Sequence, residues 1–456
     1  MIGVFELRIV IQCCPGKVRK NYQRKREALA SLLGYSLFLS YHTKKYTMPK
    51  SSFFTGQPVL NQLLSLIPGP LVKQLSRKYK SDRYYKRFKA YDHLVSMLFC
   101  GFHQCSSLRE LITGLQANAH RLNHLGLRYT PRRSTLADAN KRRSAAFFEA
   151  LFHGLFKFHY GHLPDSLKGS KLRDKLFIID STTISLFCDV LKGAGTYKLN
   201  GKKKGGLKAH VLMRVKDQVP SFVYLSAAAQ SDRNFMSMLD LPSGSILIMD
   251  KAYVSYKIMD RWTKNKITWV TRLSNNLNYA VTEQNQISEY QYQQGVRSDD
   301  VILLGNPQTQ KRNPLQKARL VRFYDQTKRR EFVFLSNNLE FSPLTIARIY
   351  KQRWDIETLF RRVKQNFQFH NFLGDNENAI KIQMWCTLIA DLLINIVKDR
   401  IEKLKQRNWS FANLAGLIRQ HLTTYIDLFK FLLNPEKAIL GYSNEISLNQ
   451  LNLFIT

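Results

Sequence analysis

The chain has 456 residues, enough for two or three domains with sizeable cores. Seventy Lys+Arg against 33 Asp+Glu give a formal charge of +37, a surplus that points to a polyanionic partner, with ribosomal association or an acidic membrane surface as the alternatives to nucleic acid. Hydrophobic residues at 44% and aromatics at 12% exclude a disordered basic tail.

In chain order, residues 1 to 47 stand apart. Arg19 to Arg26 is strongly basic and Ala28 to Tyr41 is apolar, which superficially resembles a secretion signal, but the apolar run begins late and lacks a convincing cleavage site. From Val59 to Tyr160 the pattern is helical. Val59/Leu60/Leu63/Leu64, Tyr91/Leu94/Met97/Leu98, Leu108/Leu111/Leu115 and Phe147/Phe148/Leu151/Phe152 follow helical spacing. Basic residues punctuate it, notably Lys78 to Lys89 and Arg128 to Arg143. An all-helical domain with cationic edges suits a grip on DNA through phosphates and a groove-reading helix, against a plain packing domain with solvated lysines. Of the cysteines (Cys13, Cys14, Cys100, Cys105, Cys188 and Cys386) none shows CxxC spacing. Cys100 and Cys105, with His103 between them, sit in an apolar helical stretch and read as buried free thiols rather than a zinc site, in a reducing cytoplasm.

Leu176-Phe-Ile-Ile-Asp180 and Ile246-Leu-Ile-Met-Asp250 share one design, four apolar residues and then an aspartate. Continuous apolar runs suit central parallel strands buried on both faces, and an aspartate closing such a strand stands at the rim of the sheet. One such aspartate alone is commonly a turn former or a helix cap. Between them, Gly206 to Val215 and Phe222 to Ser226 read as strands turning at Lys216 to Pro220, and Asp232 to Leu239 as a short helix. Lys202 to Lys204, beside two glycines, is either a phosphate-contacting loop or a solvated run. The stretch from about Ser274 to Asn338 holds short β-rich runs, Asp300 to Leu304, Ala318 to Tyr324 and Arg330 to Ser336.

Ser342-Pro343 then signals a helix start, and the run Tyr350 to Lys364 predicts one helix. At about 100° per residue, Tyr350, Arg353, Glu357 and Lys364 share a stripe roughly 60° wide, beside an apolar face of Ile349, Ile356, Leu359, Phe360, Val363 and Phe367. Arg348, Lys351, Asp355 and Arg362 fall on the opposite, solvent face. A charged stripe by itself is commonly a solvated salt-bridge row. Two aspartate strands and this helix together predict three converging carboxylates, Asp180, Asp250 and Glu357. They would repel one another unless hard cations joined them, and oxygen ligands favour magnesium. Trp269, Trp354 and Trp385 are expected in the core rather than as stacking partners. Two helices, Asn378 to Lys405 and Ser410 to Leu433, should follow. Ile380, Met384, Leu388, Leu392 and Ile396 form the core stripe of the first. Asp391 interrupts its most apolar stretch, Met384 to Val397, so no uncharged membrane span appears.

Asp180-Ser-Thr182, Asp250-Lys-Ala-Tyr253, Trp269-Val-Thr-Arg272 and the Tyr350/Arg353/Glu357/Lys364 signature resemble the DDE transposases of bacterial insertion sequences, IS4 family, from about Met48 to Arg400. Ser107-Leu-Arg-Glu and Ser134 to Asn140 match that family's amino-terminal domain, and Ala252 stands where many relatives carry glycine. The resemblance implies an α+β or α/β chain with an RNase H-like catalytic core. The expected layout is 1–47 as a non-native or disordered extension, with Met48 as the translation start, then 48–165 as a helical DNA-binding domain. Residues 166–273 and 339–405 would form the core, 274–338 a β-rich insertion, and 406–456 a helical tail. Asp180 would lie on the first strand, Asp250 on the fourth and Glu357 on a later helix.

The implied reaction is phosphoryl transfer on DNA at transposon ends, by a cut-and-paste route through hairpin ends with a flipped base. Asp180, Asp250 and Glu357 would hold two Mg²⁺ (or Mn²⁺) ions. Tyr350, Arg353, Lys364, Arg272 and, more weakly, His210 would contact DNA phosphates. The partners would be double-stranded DNA (terminal inverted repeats and target) and a second subunit, in the bacterial cytoplasm at the nucleoid, with no membrane. A metal nuclease without strand transfer and a catalytically inactive DNA-binding regulator are the rival readings.

Overall fold

The computed structural model describes residues 56–161, 167, 169–185, 206–227, 232–274, 277–311, 313–367, 372–405 and 408–435. The expectations for residues 1–47, for Lys202 to Lys204, for Cys13, Cys14 and Cys188, and for the chain beyond 435 lie outside the described residues. The amino-terminal periodicities become helices α1 (Val59–Leu64), α2 (Gly69–Lys78), α3 (Ala90–His103), α4 (Leu108–Ala117), α5 (Arg133–Arg142) and α6 (Ala145–Tyr160). Val59, Leu60, Leu63 and Leu64 are buried, as are Phe147, Phe148, Leu151 and Phe152, because helical spacing aligns each set on one stripe. Ser107 caps α4 by accepting the Glu110 N–H at 3.2 Å. Cys100, Cys105 and Cys386 are buried free thiols.

A short helix α7 (Leu172–Lys175) leads into strands β1 (Leu176–Ser185), β2 (Gly206–Arg214), β3 (Val219–Ala227), β4 (Ile246–Met249), β5 (Thr268–Arg272), β6 (Tyr279–Gln284), β7 (Val296–Leu304), β8 (Gln316–Asp325) and β9 (Arg330–Ser336). Among the described residues they join in one sheet of order β3-β2-β1-β4-β5-β9-β8-β7-β6. β1, β2 and β3 pair antiparallel, while β4 is parallel to β1 and β5 to β4. That order and polarity make the first five strands an RNase H-like core. The expected turn between β2 and β3 is present, with Gln218 at φ 53°. The β-rich stretch is not a separate module, since β9 pairs antiparallel with β5 and carries β6 to β8 into the same sheet. β6 escaped the sequence reading because most of it is exposed and lacks an apolar face.

The remaining helices are α8 (Asp232–Ser237), α9 (Tyr256–Lys264), α10 (Glu289–Gln293), α11 (Pro343–Lys351), α12 (Trp354–Asn366), α13 (Glu377–Lys405), α14 (Phe411–His421) and α15 (Leu428–Leu433). Side-chain alternation along β1 divides the core in two. Phe177 and Ile179 pack with Phe235, Tyr253, Trp262 and Trp269 on one side. Leu176 and Ile178 pack on the other with residues of α11 to α15 and of the amino-terminal helices.

The helix α13 lies in that second layer. Its stretch Glu377–Leu404 is long and apolar enough to cross a membrane by length and composition, but 94% of its most apolar 18-residue window is buried inside the protein, as expected of a central core helix. Asp391, only 1% exposed, is held by Arg362 through Nε and Nη2, each at 3.0 Å, and by Asn395 at 2.9 Å. Arg362 therefore leaves the solvent face expected for it, because a buried carboxylate demands a partner. The helix predicted from Ser410 to Leu433 is two helices, α14 and α15, separated at residues 422–427.

Candidate active site

Strand register brings the two aspartates together. Ile178 pairs with Ile248 and Ile179 with Met249 in the parallel β1–β4 ladder, so the next step sets Asp180 beside Asp250, on strands about 4.8 Å apart. The two strands do not end alike, as the sequence suggested. β4 stops at Met249, whereas β1 continues to Ser185 because β2 still pairs with it, from Ser181 opposite His210 to Ser185 opposite Gly206. Asp180 thus flanks a gap left where β4 ends. Asp250 turns its Oδ1 onto the Ala252 N–H at 3.1 Å and caps the 3-10 turn Lys251–Tyr253.

The helix start also follows the sequence: Ser342 Oγ accepts the Thr345 N–H at 3.2 Å, with Pro343 in the first turn. The single helix expected through Lys364 is instead broken. Gln352 and Arg353 form a tight turn whose N–H groups reach Ile349 and Tyr350 at 3.1 and 3.0 Å, a three-residue spacing, before α12 begins. The polar stripe consequently divides. Tyr350 is buried, its ring 5.0 Å from that of Phe334. Arg353 and Glu357 stay together, and Lys364 lines a small cavity with Thr182, Ala209 and Val211. Trp354, at the break, is 46% exposed and so departs from the core position expected for it. Trp269 and Trp385 are buried as expected.

Two arginines join the three carboxylates. Arg353 donates from Nη1 to Asp180 Oδ2 at 3.0 Å and from Nη2 to Glu357 Oε1. Arg272, the last residue of β5, donates from Nη2 to Asp250 Oδ2 at 3.0 Å, and its guanidinium lies 5.9 Å from the centre of the Tyr350 ring. Burial raises the Asp180 pKa to about 6. The Ser181 N–H and Arg353 oppose the rise, and the charges of Asp250 and Glu357 add to it. Three buried polar atoms here have no partner among the described residues: Arg272 Nε, Arg353 Nε and the Tyr350 hydroxyl. Among the described residues no three metal-ligating side chains are preassembled, because Arg353 stands between Asp180 and Glu357.

His210 does not belong to this cluster. It is 1% exposed and lies between the rings of Phe235 (5.2 Å) and Tyr224 (5.9 Å), on the face of β2 that carries the register partner of Ser181. Its burial sets it apart from the phosphate contact expected of it. It belongs to a polar knot behind the carboxylates that the sequence reading missed. Asp232 there takes Lys208 Nζ at 2.7 Å and Ser181 Oγ at 3.4 Å, with His210 Nδ1 3.3 Å away but not hydrogen-bonded to it, and His210 Nε2 meets Ser226 Oγ at 2.9 Å. The buried Tyr253 phenol has its pKa pushed up by burial, with the Ser181 hydroxyl pulling it back. Ser181 follows Asp180 and Tyr253 follows Asp250 by three residues, so the knot touches the neighbours of both aspartates from behind. Period-2 alternation of Lys208 with His210 was the one visible signal.

An RNase H-like sheet with two aspartates side by side at its rim, and a helix presenting a glutamate to them through a shared arginine, defines a class: enzymes that move phosphoryl groups on nucleic acids. The transposase DDE domain family matches residues 171–393, and a domain of unknown function (DUF4372) matches residues 55–128. A putative transposase of Sinorhizobium fredii, y4zB, is 32% identical over 288 residues, 63% of this chain and 77% of the relative. A probable transposase for insertion sequence element IS5377 of Geobacillus stearothermophilus is 27% identical over 241 residues, 53% of this chain and 61% of the relative. A putative transposase for insertion sequence element IS4SA of Synechocystis is 22% identical over 271 residues, 58% and 71%. Among solved structures, a piggyBac transposase synaptic complex with hairpin DNA aligns with TM-score 0.43 and 12% identity, covering 85% of this chain and 83% of that one. The chain belongs to the DDE transposase family of insertion sequences, and it is an enzyme of DNA cleavage and strand transfer.

Proposed function

We propose that this DNA transposase is of the IS4 type, that Asp180, Asp250 and Glu357 are its catalytic carboxylates, and that Arg353, Arg272 and Tyr350 hold the phosphate under attack. The observation that carries the assignment is the single Arg353 guanidinium touching Asp180 and Glu357 at once, which limits their separation to the reach of one side chain. Asp250 follows the last register pair of β1 and β4, Ile179 with Met249, and its charge adds to the raised pKa of Asp180.

The donor set fits divalent cations. Three carboxylates supply hard oxygen ligands, with room for water and phosphate oxygens, as Mg²⁺ or Mn²⁺ requires. Bound there, two such ions would lower the pKa of the attacking water or 3′-hydroxyl and stabilise the leaving oxygen. The residues do the rest. Asp180, its pKa raised to about 6 by burial, is mostly ionised at neutral pH and would attract cations. Arg353, which bridges Asp180 and Glu357, would donate to phosphate oxygens where those carboxylates held the cations. Arg272 keeps Asp250 in place, and its guanidinium and that of Arg353 offer donors to a non-bridging oxygen. Lys364 contributes charge further along the strand path.

Beside the carboxylates a cavity of about 470 Å³ is lined by Phe332, Phe334, Tyr350 and Trp354 together with Arg272, Lys328, Arg330 and Arg353. Aromatic walls ringed by cations suit an unstacked base with its phosphate, which favours the hairpin route. The substrates would be terminal inverted repeats and target duplex, processed by a paired subunit complex in the bacterial cytoplasm.

Incubating the purified chain with duplexes carrying its flanking inverted repeats and Mg²⁺ tests the whole reading. Cleaved ends, hairpin intermediates and joined products are expected, and Asp180→Asn, Asp250→Asn and Glu357→Gln should each lose all three. Cleavage without joining would demote the chain to a nuclease. Activity that survives the three substitutions would remove these residues from the chemistry.

A further inference from the structure

The stretch formed by the last two residues of α2 and its connection to α3 is unlike an ordinary solvated loop. Of the thirteen residues from Arg77 to Lys89, seven are Lys or Arg and one is acidic. Mutual repulsion of that density costs stability unless something negative is brought in. The backbone is nonetheless tightly built. Arg143, 1% exposed, reaches up from the end of α5 and donates from Nε to the Ser81 carbonyl at 3.0 Å and from Nη2 to the Phe88 carbonyl at 2.7 Å. Its guanidinium lies under the Tyr85 ring at 4.3 Å. The one carboxylate, Asp82, is turned inward onto the Ala90 N–H at 2.6 Å, and Asp92 accepts the Lys89 N–H at 2.7 Å. Lys80 and Tyr84 both hold a left-handed backbone, φ 49° and 67°, which costs a non-glycine residue and persists only where the surroundings enforce it.

What this frame presents outward is charge and one aromatic ring. Lys80, Arg83, Lys86 and Arg87 are exposed, and none forms an ion pair among the described residues. Tyr84 is 87% exposed, with the Arg83 guanidinium 4.8 Å from its ring centre. An open cavity of about 690 Å³ is lined by Lys73, Arg77, Lys80 and Arg83, with Asp82 among them, over Val72 and Tyr91. A merely solvated run requires neither a buried arginine pinning its carbonyls nor an exposed tyrosine. The thirteen residues contain no Asn or Gln, so they suit backbone contact rather than adenine readout.

We propose that the Arg77–Lys89 connection, pinned from beneath by Arg143, is a preformed cradle for the phosphate backbone of duplex DNA. Lys80, Arg83 and Arg87 contact phosphates without regard to sequence, and the Tyr84 ring packs against the sugar between them. This rests on the transposase reading and goes beyond it, giving a role to a region matched by a domain of unknown function. It also moves the contact from a groove-reading helix to a rigid loop.

The test is fluorescence anisotropy of the full chain on a short duplex of unrelated sequence, across roughly 50 to 200 mM salt. Each phosphate contact contributes about 0.9 to the slope of log affinity against log salt. The triple variant Lys80→Ala/Arg83→Ala/Arg87→Ala should therefore lose about 2 to 3 from the slope, with an unchanged melting temperature. Tyr84→Ala should bind about tenfold more weakly with the slope intact. Preference for the inverted repeat over unrelated duplex should persist in both variants. An unchanged slope in the folded triple variant overturns the cradle, as does collapse of that preference, which would make the loop a base reader. If the unaltered chain bound no DNA, the transposase reading would fall with it; the first two outcomes leave that reading standing.

Discussion

The two faces of the sheet at Asp180 are built from similar side chains to opposite ends. On the front, Asp180, Asp250 and Glu357 are bridged by Arg353 and Arg272, and donors of both arginines and of Tyr350 remain unpartnered. On the back, one carboxylate, Asp232, is ringed by Lys208, His210 and Ser181. The front sets three carboxylates against two arginines, so it can still take metal ions. The back has its own atoms unpartnered among the described residues, His210 Nδ1 and the Tyr253 hydroxyl, but there one carboxylate meets one lysine, and Phe235 and Tyr224 pack over the histidine. One residue of strand phase separates them, since Asp180 and Ser181 necessarily point to opposite sides. The lesson is that charged clusters near an active centre differ in function by the charge left over once their ion pairs are made, since both faces keep unpartnered polar atoms.

Substitutions can break this contrast in order of effect. Glu357→Gln should cut DNA cleavage on the order of 10⁴-fold and leave DNA affinity near normal. A fall below tenfold in single-turnover assays would return Glu357 to a structural role. Arg362→Ala tests the suspension of the front helix α12 on Asp391. Leaving that carboxylate buried and unpaired should cost about 3 to 5 kcal/mol in urea unfolding, and Arg362→Met with Asp391→Leu should recover most of it.

Asp232→Asn loosens the back while sparing every front carboxylate. Cleavage and apparent Mg²⁺ affinity should drop about 10- to 100-fold, with DNA binding in the absence of metal unchanged. If both stay at the wild-type level, the knot supports the fold alone. The smallest effect is a pH slope. Burial lowers the His210 pKa to about 4, so the folded chain refuses a proton that the unfolded chain binds below about 6.5. Its stability contribution is present above pH 6.5 and is lost as pH falls toward 4. Wild type should therefore lose about 1.4 kcal/mol per pH unit more than His210→Asn in that window; parallel unfolding curves would show that His210 titrates freely.

Several of these elements were legible in the residues. The runs Leu176 to Ile179 and Ile246 to Met249 have no polar side to offer water, so they become central strands, and the polar residue after each is expelled to the rim. Ser342-Pro343 starts a helix for local steric reasons. The Glu357 helix carried its own apolar face. These features arise from neighbours in sequence, so composition and period suffice to reveal them.

Other features required the assembled chain. The break at Gln352 and Arg353 lies in a segment with ordinary helical residues, and it turns one stripe into a buried Tyr350, a bridging Arg353 and a separate Lys364. Arg362 looks like a solvent residue until α13 brings Asp391 against it. Asp232 reads as the start of a short helix, and only its meeting with β2 makes it a partner for Lys208 and His210. Sequence by itself determined which strands and helices form and which carboxylates are available, because those follow from short-range period and burial. The choice of which polar groups meet, and which are left wanting a ligand, belonged to the tertiary structure, since such pairings join residues far apart in the chain whose mutual energy exists only once both are removed from water.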